Sequence, residues 1–390
     1  MKKRDETPLK RRTLLAATAA ACALPMISTR SWGAPGVPGD REVVIGQSAV
    51  LSGPLAPVVL GFNAGAKLAI DGANAAGGVH GRTVRVISMD DELKPDRTLT
   101  NYRKLLDEDS VFAFFGAVGT GNVSAVTALL KESQAPLIGC YGVSDGTRAN
   151  AAGAAYVVRA GYGREVERIV QHLTSIGITR IALAHLATPG GEDILNAVRA
   201  AIKARGAEST LAGAAAVKID GSNAAEAGRT LAAANAQAII LFLSGKPVAE
   251  FIKAVQDGGS RAQFYGMSTV QGDLVAQALG SRLSNGLVVA QVVPYPWSES
   301  EPTARAFRKQ ADKAGVAVNY YSYEGFINGL VLIEALRRAG RDLTRASMHG
   351  AMRALKARIG GSDLDFTVPG ASGSQLVEMV YVTPQGKFVR

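Results

Sequence analysis

Cysteine is nearly absent from this chain: Cys22 and Cys140 are the only two in 390 residues. Because Cys22 falls in an apparent export signal, Cys140 would remain alone after processing. No intramolecular disulfide is then available, and the fold must rest on hydrophobic burial. Aromatic residues make up 6% and charged residues 19%. No stripe of interleaved basic and aromatic residues and no nucleic-acid motif occurs, so nucleic acid is not expected as a partner. The apolar stretch Leu14–Ile27, about fourteen residues and interrupted by Pro25, falls short of the ~20 needed to cross a membrane as a helix. No G-x-x-x-x-G-K-S/T phosphate loop is present, and His80 and His349 lack partners at metal-ligand spacing. Neither a metal nor a cofactor is expected.

The N-terminal 34 residues have the layout of a secretory signal. Lys2, Lys3, Arg4, Lys10, Arg11 and Arg12 precede the apolar stretch, and Ser28 to Ala34 supplies small residues suited to cleavage after Gly33 or Ala34. The paired arginines before Thr13 are compatible with twin-arginine export as well as with ordinary signal chemistry. Cys22 lacks the large aliphatic residue usual three positions before a lipidated cysteine, which favours signal filler over a lipid anchor. Removing residues 1–34 leaves 36 Lys+Arg against 31 Asp+Glu and lowers the net charge from +10 to +5. Much of the basic character is therefore targeting charge. About 356 residues remain, a length that usually divides into two lobes with separate cores.

What the remaining sequence contains is a repeated strand–helix alternation. Val43–Ile45 reads as a buried strand, Ser52-Gly53-Pro54 as a loop, and the following residues to Ala75 as a long helix with Phe62, Ala66, Leu68, Ala69, Ile70 and Ala73 at helical spacing. Val84–Ile87 restarts a strand. Later strands are expected at Val111–Phe115, Pro136–Cys140, Arg180–Leu186, Leu211–Val217, Ala238–Leu243 and Gln263–Met267. Helices are expected at Glu192–Ala204, Tyr323–Arg338 and Leu343–Ala357, and a hairpin at the C-terminus. Alternation of this kind predicts an α/β fold with mainly parallel sheets and ligands bound beyond the carboxyl ends of the strands.

Two loops carry most of the chemistry. Gly119, Thr120 and Gly121 lie where a strand gives way to a helix, so free N–H groups and the Thr120 hydroxyl could hold a carboxylate; a capped tight turn would look the same. The next loop, Tyr141 to Asp145, contains Gly142-Val143-Ser144-Asp145-Gly146, which fits the G-x-S-x-G nucleophile elbow of serine hydrolases. The segment Thr147–Gly153 offers no amphipathic helix for an elbow to lead into. A hydrolase is therefore disfavoured and no catalytic residue is assigned. A receptor's sensing domain would add a membrane or signalling segment, and none is apparent before Arg390.

The succession of the signal, IGQSAVLSGP, GAKLAIDGANAAGGVHGR, Asp90-Asp91, the Phe115-Gly116 loop and SYEGF resembles the periplasmic solute-binding proteins of ABC transporters, in the branched-chain amino acid receptor family. The resemblance covers essentially the whole mature chain. It implies a type I periplasmic binding fold: two similar α/β lobes joined by three crossovers, near Arg159, Val293 and Ser372, with a ligand in the cleft between them. It places lobe 1 at residues 41–159 plus 294–372, and lobe 2 at 160–293 plus 373–390. It further implies a monomer working in the periplasm with a membrane permease. By analogy Thr120 would hold a ligand carboxylate beside Gly119 and Gly121, Tyr141 and Ser144 would contact the ligand, and Ser52, Leu55 and Tyr323 would line the same face.

The sequence also departs from that pattern. The amino acid receptors pair the ligand's ammonium with an acid after the strand here read as Gln263–Met267, and Ser268 stands at that position. A buried ammonium without a counter-charge costs several kcal/mol, so an amino acid ligand requires Asp145 or Glu324 to substitute. The loop Ala187–Gly191 lacks the aromatic residue common there. The expected ligand is thus an aromatic, keto or aliphatic carboxylate, with a branched-chain or other amino acid or amide as the alternative.

Overall fold

The computed structural model describes residues 39–390 apart from Ala207, Ser284 and Asn285. The expected export signal at 1–34, including Cys22, lies outside the described residues.

The first lobe is built from β1 (Glu42–Ala49), α1 (Ala56–Ala75), β2 (Thr83–Asp90), α2 (Pro95–Asp107), β3 (Ala113–Phe115), α3 (Thr120–Ser133), β4 (Leu137–Ile138), α4 (Asp145–Asn150) and β5 (Ala155–Tyr156). Its five strands form a parallel sheet in the order β2-β1-β3-β4-β5. Val43 and Ile45 of β1 are fully buried, as a strand covered by helices on both faces requires. The strands are shorter than their apolar runs: β3 starts at Ala113 rather than Val111, and β4 keeps only two residues. Val111 and Phe112 are buried all the same, and their carbonyls accept hydrogen bonds from Arg345 at 2.8 and 3.0 Å. Phe112 still donates its N–H to the Val44 carbonyl of β1 at 2.8 Å, so burial and one backbone bond hold this end of the run.

The second lobe follows with α5 (Tyr162–Ser175), β6 (Arg180–Leu186), α6 (Pro189–Lys203), β7 (Thr210–Val217), α7 (Ala224–Ala232), β8 (Ala238–Phe242), α8 (Pro247–Asp257), β9 (Gln263–Gly266), α9 (Gly272–Leu279) and β10 (Leu287–Gln291). The chain then returns to the first lobe as α10 (Pro302–Ala314), α11 (Tyr320–Ala339), α12 (Arg345–Arg353) and a hairpin of β11 (Lys356–Ile359) and β12 (Ser362–Asp365). It ends in β13 (Glu378–Val382) and β14 (Phe388–Val389), which complete a seven-stranded sheet in the order β14-β13-β10-β9-β8-β6-β7. Strands β6 to β10 are parallel and the last two antiparallel.

Helices α1 and α11 cross at backbone contact: a Cβ built on Gly65 would lie 1.7 Å from the Ser322 carbonyl, and one on Gly325 1.8 Å from the Phe62 carbonyl. This contact ties the returning chain to the lobe it started from. Three crossovers, residues 157–161, 292–301 and 366–377, join the sheets. The first and third run side by side, with Gly373 and Ser374 donating to the carbonyls of Val157 and Val158 at 2.8 and 2.7 Å. Arg148 binds both, through the Arg159 carbonyl at 2.9 Å and the Ser372 hydroxyl at 2.6 Å.

Two sequence expectations need correction. The helix expected to reach Ala357 stops at Arg353, and the residues beyond it form the β11–β12 hairpin. Its turn is Gly360-Gly361, both with positive φ, and its strands are paired across by Lys356–Asp365 at 2.9 Å and Arg358–Asp363 at 3.2 Å; two glycines in that conformation are a strong hairpin signal. The segment after Ser144 does form a helix, the six-residue α4, with Ser144 as its N-cap residue.

Candidate ligand-binding cleft

Loops from the carboxyl ends of both sheets enclose a cavity of about 250 Å³. The first lobe supplies Leu55, Val58 and Val59 at the start of α1, Leu93 and Pro95 after β2, Val118 to Asn122 after β3, and Tyr141 and Gly142 after β4. The second lobe supplies Tyr162, Leu186, Thr188 to Gly190, Ile219, Phe242, Ser244 and Thr269. None of these lining residues is an Asp, Glu, Lys, Arg or His. The cavity is therefore an apolar chamber whose polar groups are hydroxyls, amides and backbone. A larger groove of about 480 Å³ lies between α1 and β2, but it belongs to one lobe, and its Gln47 and Asn63 amides pair with each other at 2.9 and 3.0 Å.

The first helix terminus facing the cavity is that of α3. Gly119 precedes it at φ 95°, a backbone conformation that favours glycine, and a Cβ there would also meet Leu93 at 2.8 Å. Its N–H is already committed, donating to the Tyr141 carbonyl at 3.0 Å. Gly119 therefore shapes the site without offering the donor expected of it. The N–H groups of Thr120, Gly121 and Asn122 precede the first helical bond, Val123 to the Gly119 carbonyl at 3.1 Å, and as a first turn they have no helical acceptor. The Thr120 hydroxyl oxygen accepts the Ser144 N–H at 3.0 Å. This fixes the side chain and leaves its hydrogen to donate. Together with the helix dipole, such a terminus favours an anion.

Across the cleft, α6 starts earlier than its apolar pattern indicated, at Pro189, with the Thr188 hydroxyl accepting the Gly191 N–H at 3.2 Å. A Cβ on Gly190 would lie 2.9 Å from the Thr120 hydroxyl, so the two helix ends meet here. The aromatic side chain absent from residues 187–191 has a counterpart: Tyr162, at the first position of α5, stands edge-on to Phe242 at 5.0 Å, and both line the second-lobe wall. Sequence reasoning missed this pair. Tyr162 follows directly on the crossover and Phe242 closes an apolar strand, so neither sat in a segment that looked like a loop site.

Behind the cavity lies a buried ionic cluster. Arg159, in the first crossover, stands 3.5 Å from Glu165 of α5 and 3.4 Å from Glu324 of α11. Its guanidinium also lies 4.8 Å from the ring centroid of Tyr141 and contacts the Ser268 hydroxyl. Ser268 donates its N–H and its hydroxyl to Glu165 at 2.8 and 2.9 Å. Burial pushes the Tyr141 phenol up to about 12, so it remains protonated at neutral pH.

Of the residues singled out from the sequence, Leu55, Gly119, Thr120, Gly121 and Tyr141 line the cavity. Ser52 is exposed and faces the Asp90 carboxylate. Ser144 is buried, with its hydroxyl 3.4 Å from that of Thr147, and reaches the site through its N–H bond to Thr120. Ser268 faces the ionic cluster. Tyr323 does not line the cleft: it is fully buried, with its hydroxyl donating to the Gly360 carbonyl at 3.0 Å and its ring 5.0 Å from that of Phe307. Helix α11 starts at Tyr320, capped by Asn319 and Ser322, which puts Tyr323 in the first lobe's core. The acids considered for an ammonium are engaged as well. Asp145 accepts the N–H groups of Tyr162 and Gly163 at 3.2 and 2.8 Å, and Glu324 faces Arg159.

The sequence matches the periplasmic binding protein family over residues 42–386. Among solved structures it is similar to a substrate-binding periplasmic protein from Ralstonia solanacearum, at 30% identity over 89% of this chain and 99% of that one, with a TM-score of 0.82. A branched-chain amino acid ABC transporter protein from Thermus thermophilus with bound valine shares the fold at 18% identity, 90% and 95% coverage and a TM-score of 0.79. So does a solute-binding protein from R. palustris in complex with 4-hydroxybenzoate, at 18% identity, 90% and 95% coverage and a TM-score of 0.74. No curated protein sequence matches it. With its two lobes of mainly parallel sheet, three crossovers and interlobe cavity, the chain belongs to the periplasmic binding protein family of ABC-type substrate-binding proteins.

Proposed function

We propose that this protein captures a small carboxylate without an α-amino group, namely an aromatic, keto or aliphatic acid, in the periplasm and delivers it as a monomer to the membrane permease of an ABC transporter. The observation that carries the proposal is the pairing of the free first turn of α3 with a cavity lining that bears no formal charge. A carboxylate there gains N–H and hydroxyl donors and the positive end of a helix. An ammonium would find no anion, and burying it unpaired costs several kcal/mol. Apolar walls and a volume of about 250 Å³ suit a compact hydrocarbon skeleton. The relatives named above hold valine in one case and 4-hydroxybenzoate in another, which supports both the class and its amino acid alternative.

Calorimetry with matched pairs, 4-methylpentanoate against leucine and 3-phenylpropanoate against phenylalanine, tests the proposal. The acid of at least one pair should bind at least tenfold more tightly. A clear preference for the amino acids would sink it in favour of the alternative.

A further inference from the structure

We propose that the Tyr162 hydroxyl is a second ligand donor, reaching from the second lobe so that one bound carboxylate is shared between Tyr162 and Thr120 of the first lobe. This rests on the carboxylate proposal above and adds the residue through which the ligand would tie the two lobes together.

Tyr162 is 2% exposed and lines the cavity. Its backbone is fixed at the crossover, where its N–H donates to Asp145 at 3.2 Å. Its ring is held edge-on to Phe242, with the Arg148 guanidinium 6.0 Å from its centroid. The hydroxyl has no hydrogen-bond partner among the described residues. A Cβ built on Gly142 would stand 3.3 Å from it and 4.0 Å from the Gly119 nitrogen, which places it at the α3 end of the cavity. The ring is buried, but the hydroxyl oxygen is not among the fully buried polar atoms that lack a partner; it faces the open space of the cavity, where a ligand acceptor would supply its hydrogen bond. Burial raises the phenol's pKa well above its usual value, so it stays a neutral donor. The Thr120 hydroxyl and the N–H groups of Gly121 and Asn122, which line the same cavity, are donors too. What complements several converging donors is an acceptor with two oxygens. Since Thr120 and Tyr162 belong to different lobes, that acceptor would hold the cleft shut.

The experiment uses the exported chain with benzoate, 3-phenylpropanoate and 4-methylpentanoate as probes, measured by calorimetry on the wild type, Thr120→Val, Tyr162→Phe and the double variant. For the acid that binds best, each single substitution should weaken binding roughly tenfold to a hundredfold, and the double variant should lose less than the product of the two. Small-angle scattering should show compaction by saturating acid in the wild type and less of it in Tyr162→Phe, whose ligand-free melting temperature should match the wild type's. If Thr120→Val weakens binding while Tyr162→Phe stays within twofold of the wild type, the shared carboxylate is overturned and the carboxylate proposal stands. If none of the acids binds the wild type, or the matched amino acids bind more tightly, both fall.

Discussion

Arg159 and Glu324 face each other at 3.4 Å, both buried, on opposite sides of the boundary between the first crossover and the first lobe. With Glu165 on the other side of the guanidinium, a single cation links the crossover to a helix of each lobe. Removing one member of such a buried group leaves uncompensated charge. Arg159→Met should therefore cost ~3–5 kcal/mol in urea unfolding, and Glu324→Gln clearly less, because Glu165 still balances the arginine. Ser268→Glu should destabilise rather than create an ammonium site, since it would set another carboxylate beside Glu165 in place of the hydroxyl that donates to Glu165 and accepts from Arg159. Ser268→Glu as stable as the wild type would contradict this account.

His349 supplies a test by pH. It lies on α12 between the Tyr156 hydroxyl at 2.8 Å and the Gln134 carbonyl at 3.2 Å. Burial first, and then Arg353 and Arg345, hold its pKa below the usual value of 6.5. The folded state thus binds fewer protons than the unfolded state as pH drops through that window. The stability this group contributes is complete above about 6.5 and declines as pH falls below it. His349→Gln should show a shallower loss of unfolding free energy between pH 7 and 5. An unchanged slope would argue against the group.

Gly190→Ala should act on the bound state alone. The added methyl would sit 2.9 Å from the Thr120 hydroxyl across the cleft, which opposes closure and spares the core of each lobe. The expected result is roughly tenfold weaker ligand affinity with a ligand-free melting temperature unchanged within error, following from the loss of ~1.4 kcal/mol per decade of affinity. A variant that binds as tightly as the wild type would show that the two helix ends are not that close in the ligand-bound protein.

Ser144→Ala addresses the elbow-like sequence. The serine occupies the N-cap position of α4 without a side-chain capping bond, six residues beyond the end of β4, and its hydroxyl contacts Thr147 rather than a histidine. Ester turnover by the purified protein is expected to be indistinguishable from background both before and after the substitution. Hydrolysis abolished by Ser144→Ala would be incompatible with a pure binding protein.

Much of the fold was legible because the signals were local. The apolar faces of α1, the glycines at loop starts and the strand runs of the second lobe follow from periodicity and turn chemistry, which depend on residues a few positions apart. The first-turn donors of α3 could be read from Gly119-Thr120-Gly121 for the same reason. What sequence could not supply was direction and company. Tyr323 looked like a residue at a helix start, yet the cap at Asn319 moved that start and buried the ring against Phe307. Ser268 looked like a lost acid, while Glu165, 103 residues earlier in the chain, came to bind it. Tyr162 became a cavity wall only through the crossover that sets it against Phe242. These contacts join distant segments through packing and charge neutralisation, whose energies are decided when the two lobes and the returning helices assemble, so no single stretch of sequence encodes them.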